Sequence, residues 1–576
     1  MKSLMLGNAA VARGLFEAGC CVASSYPGTP STEITESLSG YGEIYTEWAP
    51  NEKVAMEVAF GASLAGKRSF TGMKHVGLNV AADPLFTISY TGVNAGMVIA
   101  VADDPGMHSS QNEQDSRHYA RAAKIPMLEP ADSSECLNFT KYAYELSEKY
   151  DTPVFIRMCT RIAHSQSIVE LTDRVEAPVA EYVKNTPKYV MMPGFAKVRH
   201  TVVEQRSRDL AALAELTTLN RVEMGGTDIG VVASGTAYQY VKEAFGDSVS
   251  VLKLGMVNPL PSALILDFAS KVKKLIVVEE LDSVIEDHCK KLGLAVTGKD
   301  VFPLTGEFSQ NLVAEKLGLA IKKSIKIEDE IPQRPPVMCA GCSHRGVFYI
   351  LSKKKLTVFG DIGCYTLGAP PPLSAMDTTV CMGASVPMQH GFMCAGGKNC
   401  VSVLGDSTFV HMGLNGLVDI AYNGSNSTII ILDNSTTGMT GHQNNPTTGY
   451  NIKGDPAGKI DLEALCRAIG VKRVRVIDPY DLEACEAAVT EEVAAPEPSV
   501  IIARRPCALL KTTKAKPPLT VDKDKCTGCK FCMRIGCPAI SVTDKKAGVN
   551  QTLCVGCNVC TQLCKFGALV ETGKGG

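Results

Sequence analysis

The sequence predicts an α/β protein: several doubly wound domains with mainly parallel sheets, followed by a small cysteine-rich C-terminal module. Three observations lead there. Short apolar runs alternate with helix-patterned stretches, as in MVIAVAD (97–103), the pattern near Cys136–Tyr150 and PVFIRM (153–158). The rhythm returns in IGVVASG, YVKEAF and VSVLKLG, and again in VSVLGD, GLVDIAY and TIIILDN. Such alternation marks βαβ units and parallel sheets. Second, three breaks interrupt it: a polar, proline-punctuated stretch at 171–225 with a helix pattern over Val202–Leu219, an extended connector KIEDEIPQRPPV (326–337), and a basic linker KTTKAKPPLT (511–520). Successive prolines exclude helix and withhold donors. Third, eight cysteines crowd into the 39 residues from Cys526 to Cys564.

These breaks give segments 1–170, 171–225, 226–330, 335–512 and 518–576. A chain of 576 residues has room for three or four ordinary cores. Its 45% hydrophobic and 20% charged residues are a globular composition, and a net charge of −2 argues for neither nucleic acid nor an acidic membrane as partner. The N-terminal MKSLMLGNAAVARGLFEAGC reads as an amphipathic helix with Arg13 and Glu17 on its polar face, not as a secretion signal. No window offers the roughly 18 uncharged apolar residues of a membrane span. A cytoplasmic location is therefore expected. There, 22 cysteines point to metal or redox chemistry rather than disulfides, with Cys20, Cys21, Cys136 and Cys159 read as small buried residues.

The tail carries the strongest signal. Cys526-x2-Cys529-x2-Cys532-x4-Cys537 is followed by Cys554-x2-Cys557-x2-Cys560-x3-Cys564, which resembles a bacterial two-cluster ferredoxin. The resemblance implies two [4Fe-4S] clusters with crossed ligation: Cys526, Cys529, Cys532 and Cys564 on one, Cys554, Cys557, Cys560 and Cys537 on the other. One extra residue precedes Cys537, and Lys565 stands where proline is usual. Zinc sites come in cysteine pairs and suit the triplets less well.

Residues 404–408 (LGDST) follow the strand-like CVSVL, and IIILDNSTTGMTGHQNNP (429–446) places Asn434 29 positions beyond Gly405. Together they resemble the thiamine diphosphate motif, with Ser407 for its second glycine and Asp433 for its first asparagine. The resemblance implies Mg2+ held by the Asp406 carboxylate, the Asn434 side-chain oxygen and the Thr436 carbonyl. The turn Gly405, Asp406, Ser407, Thr408 would aim N–H groups at phosphate. Met382 would wedge the cofactor, and Glu52, in NEKVAMEVAFGASLAG, would contact its aminopyrimidine.

SSYPGTPSTE (24–33), TGMKHVGLNVAADPL (71–85) and RPPVMCAGCSHRGVFY (334–349) resemble segments of the 2-oxoacid:ferredoxin oxidoreductases. Over nearly the whole chain the sequence is similar to the large subunit of their indolepyruvate branch. The segments then become a pyrimidine-binding domain (1–170), a linker (171–225), a transketolase C-terminal-like domain (226–330), a diphosphate-binding domain (335–512) and a ferredoxin-type module (518–576). The resemblance implies oxidative decarboxylation of an arylpyruvate to its acyl-coenzyme A with external ferredoxin as acceptor. It also implies a small β subunit carrying a missing catalytic domain in an α2β2 assembly, and an anaerobic source. Thr29 and Arg117 would face the substrate carboxylate, an arginine fork being suited to that grip, with Arg121 as competitor. Residues near Thr29, Lys74 and His75 would decide the substrate. A proximal [4Fe-4S] cluster would use Cys339, Cys342, Cys364 and Cys507, with zinc or inert thiols as alternatives. Oxidation of pyruvate or another 2-oxoacid, non-oxidative decarboxylation, and a plain iron–sulfur electron carrier also stay open.

Overall fold

The computed structural model describes residues 1–321, 325, 327–332 and 334–572. Two compact units emerge, Met1–Ile327 and Glu328–Gly576. Lys326 and Gln333 of the expected connector lie outside the described residues; its remaining residues carry no helix or strand.

In the first unit a seven-stranded sheet runs in the order Met256–Asn258, Met127–Leu128, Val154–Cys159, Met97–Asp103, Ser69–Lys74, Val22–Ser25, Tyr45–Trp48. Every pairing is parallel except that of Met256–Asn258 with Met127–Leu128. Met97–Asp103 and Val154–Cys159 are buried along their whole length, as strands covered on both faces must be. A five-stranded sheet follows, ordered Val296–Thr297, Lys274–Val278, Ile229–Ser234, Ser250–Leu254, Arg221–Glu223. Residues 226–330 thus supply four of the five strands of this second sheet, with Arg221–Glu223 coming from the 171–225 segment, and also lend the short strand Met256–Asn258 to the first. Between the sheets, the expected helix over Val202–Leu219 starts earlier and stops sooner, at Pro193–Leu216. Its N-terminus exploits Pro193, whose missing N–H costs nothing in a first turn.

The N-terminal helix, Gly7–Glu17, corrects one expectation. Glu17 is not on a polar face: it is 1% exposed and accepts from Arg13, Lys141 and Thr172. A buried carboxylate survives only when so paired. Cys20, Cys136 and Cys159 are buried and Cys21 half-buried; burial pushes the Cys20 and Cys159 thiols up to about 12, so they are inert.

The second unit holds a five-stranded, all-parallel sheet ordered Thr357–Phe359, Cys400–Gly405, Thr428–Asp433, Ser499–Arg504, Arg473–Ile477. After it come two small antiparallel pairs, Leu519–Val521 with Leu569–Glu571 and Ile540–Thr543 with Lys546–Val549. Two 3-10 turns, Phe531–Ile535 and Val559–Leu563, accompany them. The basic linker is pinned: Lys516 N donates to Val555 O at 3.0 Å, and Leu519 N to Cys554 Sγ at 3.4 Å. Among the described residues, no helix is long and apolar enough to cross a membrane.

Candidate active site and cysteine clusters

In open parallel sheets, ligands bind beyond the carboxyl ends of the strands. In the second unit, Cys400–Gly405 ends there on Asp406, and Thr428–Asp433 ends on Asn434. Asp406 is 2% exposed. Its Oδ1 accepts from Ser407 N (2.8 Å) and its Oδ2 from Thr447 Oγ1 (3.2 Å). Burial pushes its carboxyl up to about 7, with nearby Asp433 adding to the rise. Asp433 is itself held by Arg504 Nε at 2.8 Å. Loop 434–447 folds back over the turn: Thr437 Oγ1 donates to Ser407 Oγ (3.1 Å), and Asn445 bonds both Thr437 and Thr447. Asn434 and Thr436 are buried beside it.

The buried Asp406 carboxylate, with the Asn434 amide oxygen and the Thr436 carbonyl in the loop beside it, is a set of hard oxygen donors. That chemistry fits Mg2+ and the diphosphate it would carry. Sequence reasoning missed Thr447, Asn445, Tyr365 and Asp361. The Tyr365 hydroxyl sits between Ile362 O (2.7 Å) and Thr408 Oγ1 (2.9 Å). Asp361, fully buried, accepts from Gly383 N (2.9 Å) and Ser385 N (3.1 Å), fixing the turn that presents half-buried Met382. Its signal was legible: Gly360-Asp361 follows strand Thr357–Phe359 as Gly405-Asp406 follows its own strand.

In the first unit, loops at the carboxyl ends of Ser69–Lys74 and Met97–Asp103 bring Lys74 and His75 to residues 109–112, and Gly28, next to Thr29, packs on Lys74, where an added Cβ would lie 3.2 Å from Lys74 Cβ. Lys74 Nζ donates to Ser109 O at 2.8 Å, and His75 Nε2 lies 3.2 Å from Asn112 O. Burial lowers the pKa of both. Glu52 opens helix Glu52–Leu64 behind an Asn51 cap and is 5% exposed. Its carboxyl packs on Gly77, where an added Cβ would lie 2.5 Å from Oε1; only glycine lets the chain approach so closely.

Arg117 does not take its expected role. Its guanidinium is 2% exposed and fork-bonded to Asp115 (Nε–Oδ1 2.9 Å, Nη2–Oδ2 2.5 Å). Glu279 takes Nη1 at 2.6 Å, and the carbonyls of Glu280 and Asp282 accept from Nη2. An arginine has five donors, and these are spent on interior partners. Arg121, on the same helix, is exposed.

The twelve expected cysteine ligands fall into three groups, all in the second unit. Burial pushes Cys342 up to about 12 and Cys364 up to about 11. Neighbouring thiols push the same way: Cys364 and Cys339 on Cys342, Cys507 and Cys339 on Cys364. Cys507 N donates to Asn434 O at 2.9 Å, which joins this group to the diphosphate loop. In the tail, a small cavity of about 20 Å³ is lined by Cys526, Cys529, Cys532 and Cys564. A second, also of about 20 Å³, is lined by Cys537, Cys554, Cys557 and Cys560 together with Ala340 and Gly341. Among the described residues, no group of three or more His, Cys, Asp or Glu side chains is placed to hold a metal ion.

Comparison with known proteins follows this geometry. Residues 13–216 match the family model for pyruvate flavodoxin/ferredoxin oxidoreductase, thiamine diphosphate binding, and residues 361–503 that for the thiamine pyrophosphate enzyme C-terminal TPP binding domain. Indolepyruvate oxidoreductase subunit IorA of Methanothermobacter thermautotrophicus is 41% identical over 100% of this chain and 98% of its own length. The chain belongs to the indolepyruvate oxidoreductase subunit IorA family. The IorA protein of Archaeoglobus fulgidus is 39% identical over 98% of this chain and 96% of its own. This IorA-family chain is therefore an enzyme, a thiamine-diphosphate-dependent 2-oxoacid oxidoreductase of a multi-subunit family, built on thiamine-enzyme-type α/β domains. A 2-oxoglutarate:ferredoxin oxidoreductase structure from Magnetococcus marinus aligns over 55% of this chain and 65% of its own at 18% identity, with a TM-score of 0.46.

Proposed function

We propose that this chain, with a small β subunit in an α2β2 assembly, oxidatively decarboxylates arylpyruvates such as indolepyruvate to aryl-acetyl-coenzyme A. External ferredoxin takes the electrons, in the cytoplasm of an anaerobic organism. The observation that carries the reading is the hydrogen bond from Cys507 N to Asn434 O: a four-cysteine group abuts the loop that would hold the diphosphate.

Bound thiamine diphosphate supplies an electron sink for the pair released as CO2 departs. The chain's own residues do the rest. Asp406, Asn434 and the Thr436 carbonyl hold Mg2+, while the Gly405–Thr408 turn, Ser407 included, presents N–H and hydroxyl groups to phosphate. Met382, on its Asp361-fixed turn, supports the cofactor's bent shape. Glu52, with its carboxyl packed on Gly77, holds a proton at the aminopyrimidine N1′. Thr29 orients the substrate carboxylate, and the nearby Lys74 and His75 shape the pocket that selects the substrate. Cys339, Cys342, Cys364 and Cys507 hold a proximal [4Fe-4S] cluster, and the two tail cavities hold two more with the crossed ligand sets. Four cysteines line each tail cavity, the ligand count of a cubane, and their crossed triplet-plus-one spacing suits that cluster better than a zinc site built from cysteine pairs.

The test is an anaerobic preparation assayed for iron and thiamine diphosphate per chain. About twelve irons and one cofactor are expected, with indolepyruvate bleaching the clusters in the presence of coenzyme A. Two zinc ions and no iron would overturn the electron path; iron without thiamine diphosphate would leave only a carrier.

A further inference from the structure

Arg345 is a buried cation that meets no carboxylate. It is 4% exposed and opens the helix Arg345–Lys354, where the aligned peptide dipoles already present positive charge. Its guanidinium donates to backbone carbonyls. Nε reaches Cys339 O (3.1 Å), Nη2 reaches Met338 O and Cys339 O (3.0 Å), and Nη1 reaches Ile535 O (3.2 Å) and Gly536 O (2.5 Å). Arg117 and Arg157, also buried, meet carboxylates instead: Asp115 and Glu279 for the first, Asp103 and Glu129 for the second. The charges that act most strongly on Arg345 belong to four thiol groups, those of Cys537, Cys342, Cys339 and Cys557. Two of these come from the C-x-x-C loop and two from the tail, so one guanidinium serves two of the three cysteine groups. Carbonyl dipoles satisfy its N–H groups, yet a unit charge held out of water is costly unless an anion pairs with it. Thiols that ligate a metal are thiolates, and these two groups would supply that anion once loaded.

We propose that Arg345 tunes the electron path: its single cation raises the reduction potential of both the Cys339/Cys342 group and the Cys537/Cys557 group, while its fork holds the C-x-x-C loop to the tail. The inference rests on the function proposed above, through its iron–sulfur clusters. A one-electron reduction adds a negative charge beside the guanidinium, and a fixed cation stabilises that charge most where little water screens it. The group of Cys526, Cys529, Cys532 and Cys564 is absent from the strongest charges on Arg345, so it feels the cation less.

The experiment is a redox titration of the anaerobic holoenzyme with dithionite, which is oxidised to sulfite as it supplies the electrons. Electron paramagnetic resonance follows each cluster, and iron is counted in every sample. Arg345→Gln should lower the reduction equilibrium constant of two clusters by tenfold or more, a move of about 59 mV to more negative potential for a one-electron couple. The third cluster should move less. Arg345→Met repeats the loss of charge with a side chain that brings no new hydrogen bonds. Arg345→Lys, which keeps the charge and loses the fork, should stay closer to wild type than either. Unchanged potentials in both neutral variants at full iron, an equal shift in the lysine variant, or an equal shift of all three clusters would overturn the inference. So would loss of four or more irons from both neutral variants, which would make Arg345 a scaffold of the cluster sites and not a charge that tunes them. Wild-type enzyme whose clusters are reduced by dithionite but by no 2-oxoacid would sink the proposed function and leave the Arg345 comparison standing.

Discussion

Gly77 shows how much one missing methyl can decide. Its Cα sits where a Cβ would press to 2.5 Å from Glu52 Oε1 and 2.7 Å from its Cγ, so Gly77→Ala must move either the carboxyl or the helix His75–Val80. Overpacking of this kind costs about 1–3 kcal/mol. The expected outcome is a lower melting temperature and a kcat down by tenfold or more, with iron content unchanged; normal kcat would remove Glu52 from the chemistry. Asp406 offers a complementary case. Asp406→Ala deletes one oxygen ligand and frees Ser407 N and Thr447 Oγ1. Loss of a mere supporting partner costs about 10–100-fold in metal affinity, so a direct ligand should cost at least that. Thiamine diphosphate content, measured after gel filtration in Mg2+, should collapse while the brown iron–sulfur absorption persists.

At the scale of elements, the end of strand Lys274–Val278 carries a knot of buried charge. Asp103, Asp115, Glu129, Glu279 and Glu280 crowd around Arg117 and Arg157, all of them buried. Five carboxyls against two guanidiniums cannot all ionise at low cost. The Arg117 fork holds Asp115 far below the usual range, whereas burial pushes Glu280 up to about 7. The raised value fixes the sign. From the ordinary 4.5 upward, the unfolded chain releases this proton before the folded one does. Glu280 therefore costs stability progressively between about pH 4.5 and pH 7, reaching about 3 kcal/mol above that. Thermal melts of wild type and Glu280→Gln should converge near pH 4.5 and diverge as pH rises, with the variant the more stable at pH 8. Parallel curves would show that Glu280 is ionised throughout. The same knot explains why Arg117 cannot serve a substrate: its partners Glu279 and Glu280 arrive from a strand some 160 residues away, which no local pattern announces.

For the molecule as a whole, three cysteine groups in one chain make a forecast that tests one apart from the others. Cys529 is exposed and shares a cavity with Cys526, Cys532 and Cys564, so Cys529→Ser should lower iron from about twelve to about eight per chain if that cluster fails to assemble. The two remaining clusters should still be reduced by indolepyruvate and coenzyme A, seen by electron paramagnetic resonance, while ferredoxin reduction falls by tenfold or more. Full ferredoxin turnover with about eight irons would take that group out of the electron path. The pinned linker and the Arg345 bonds to Cys339 O and Gly536 O tie the C-x-x-C loop to the tail.

The cysteine triplets, Gly405-Asp406 with its distant Asn434, and the strand-helix alternation were legible in the sequence because each depends on local spacing: ligation by neighbouring thiols, a turn at a strand end, and side chains alternating across a sheet. Glu17 was misread because its partners Lys141 and Thr172 come from elsewhere in the fold, and Asp361 and Thr447 were passed over because their bonds are to a distant turn. Tertiary structure alone decided that Arg117 is spent inside an ion cluster and that Cys507 bonds to the Asn434 loop. Long-range packing brings those groups together, and a sequence records only the residues it has available to bring.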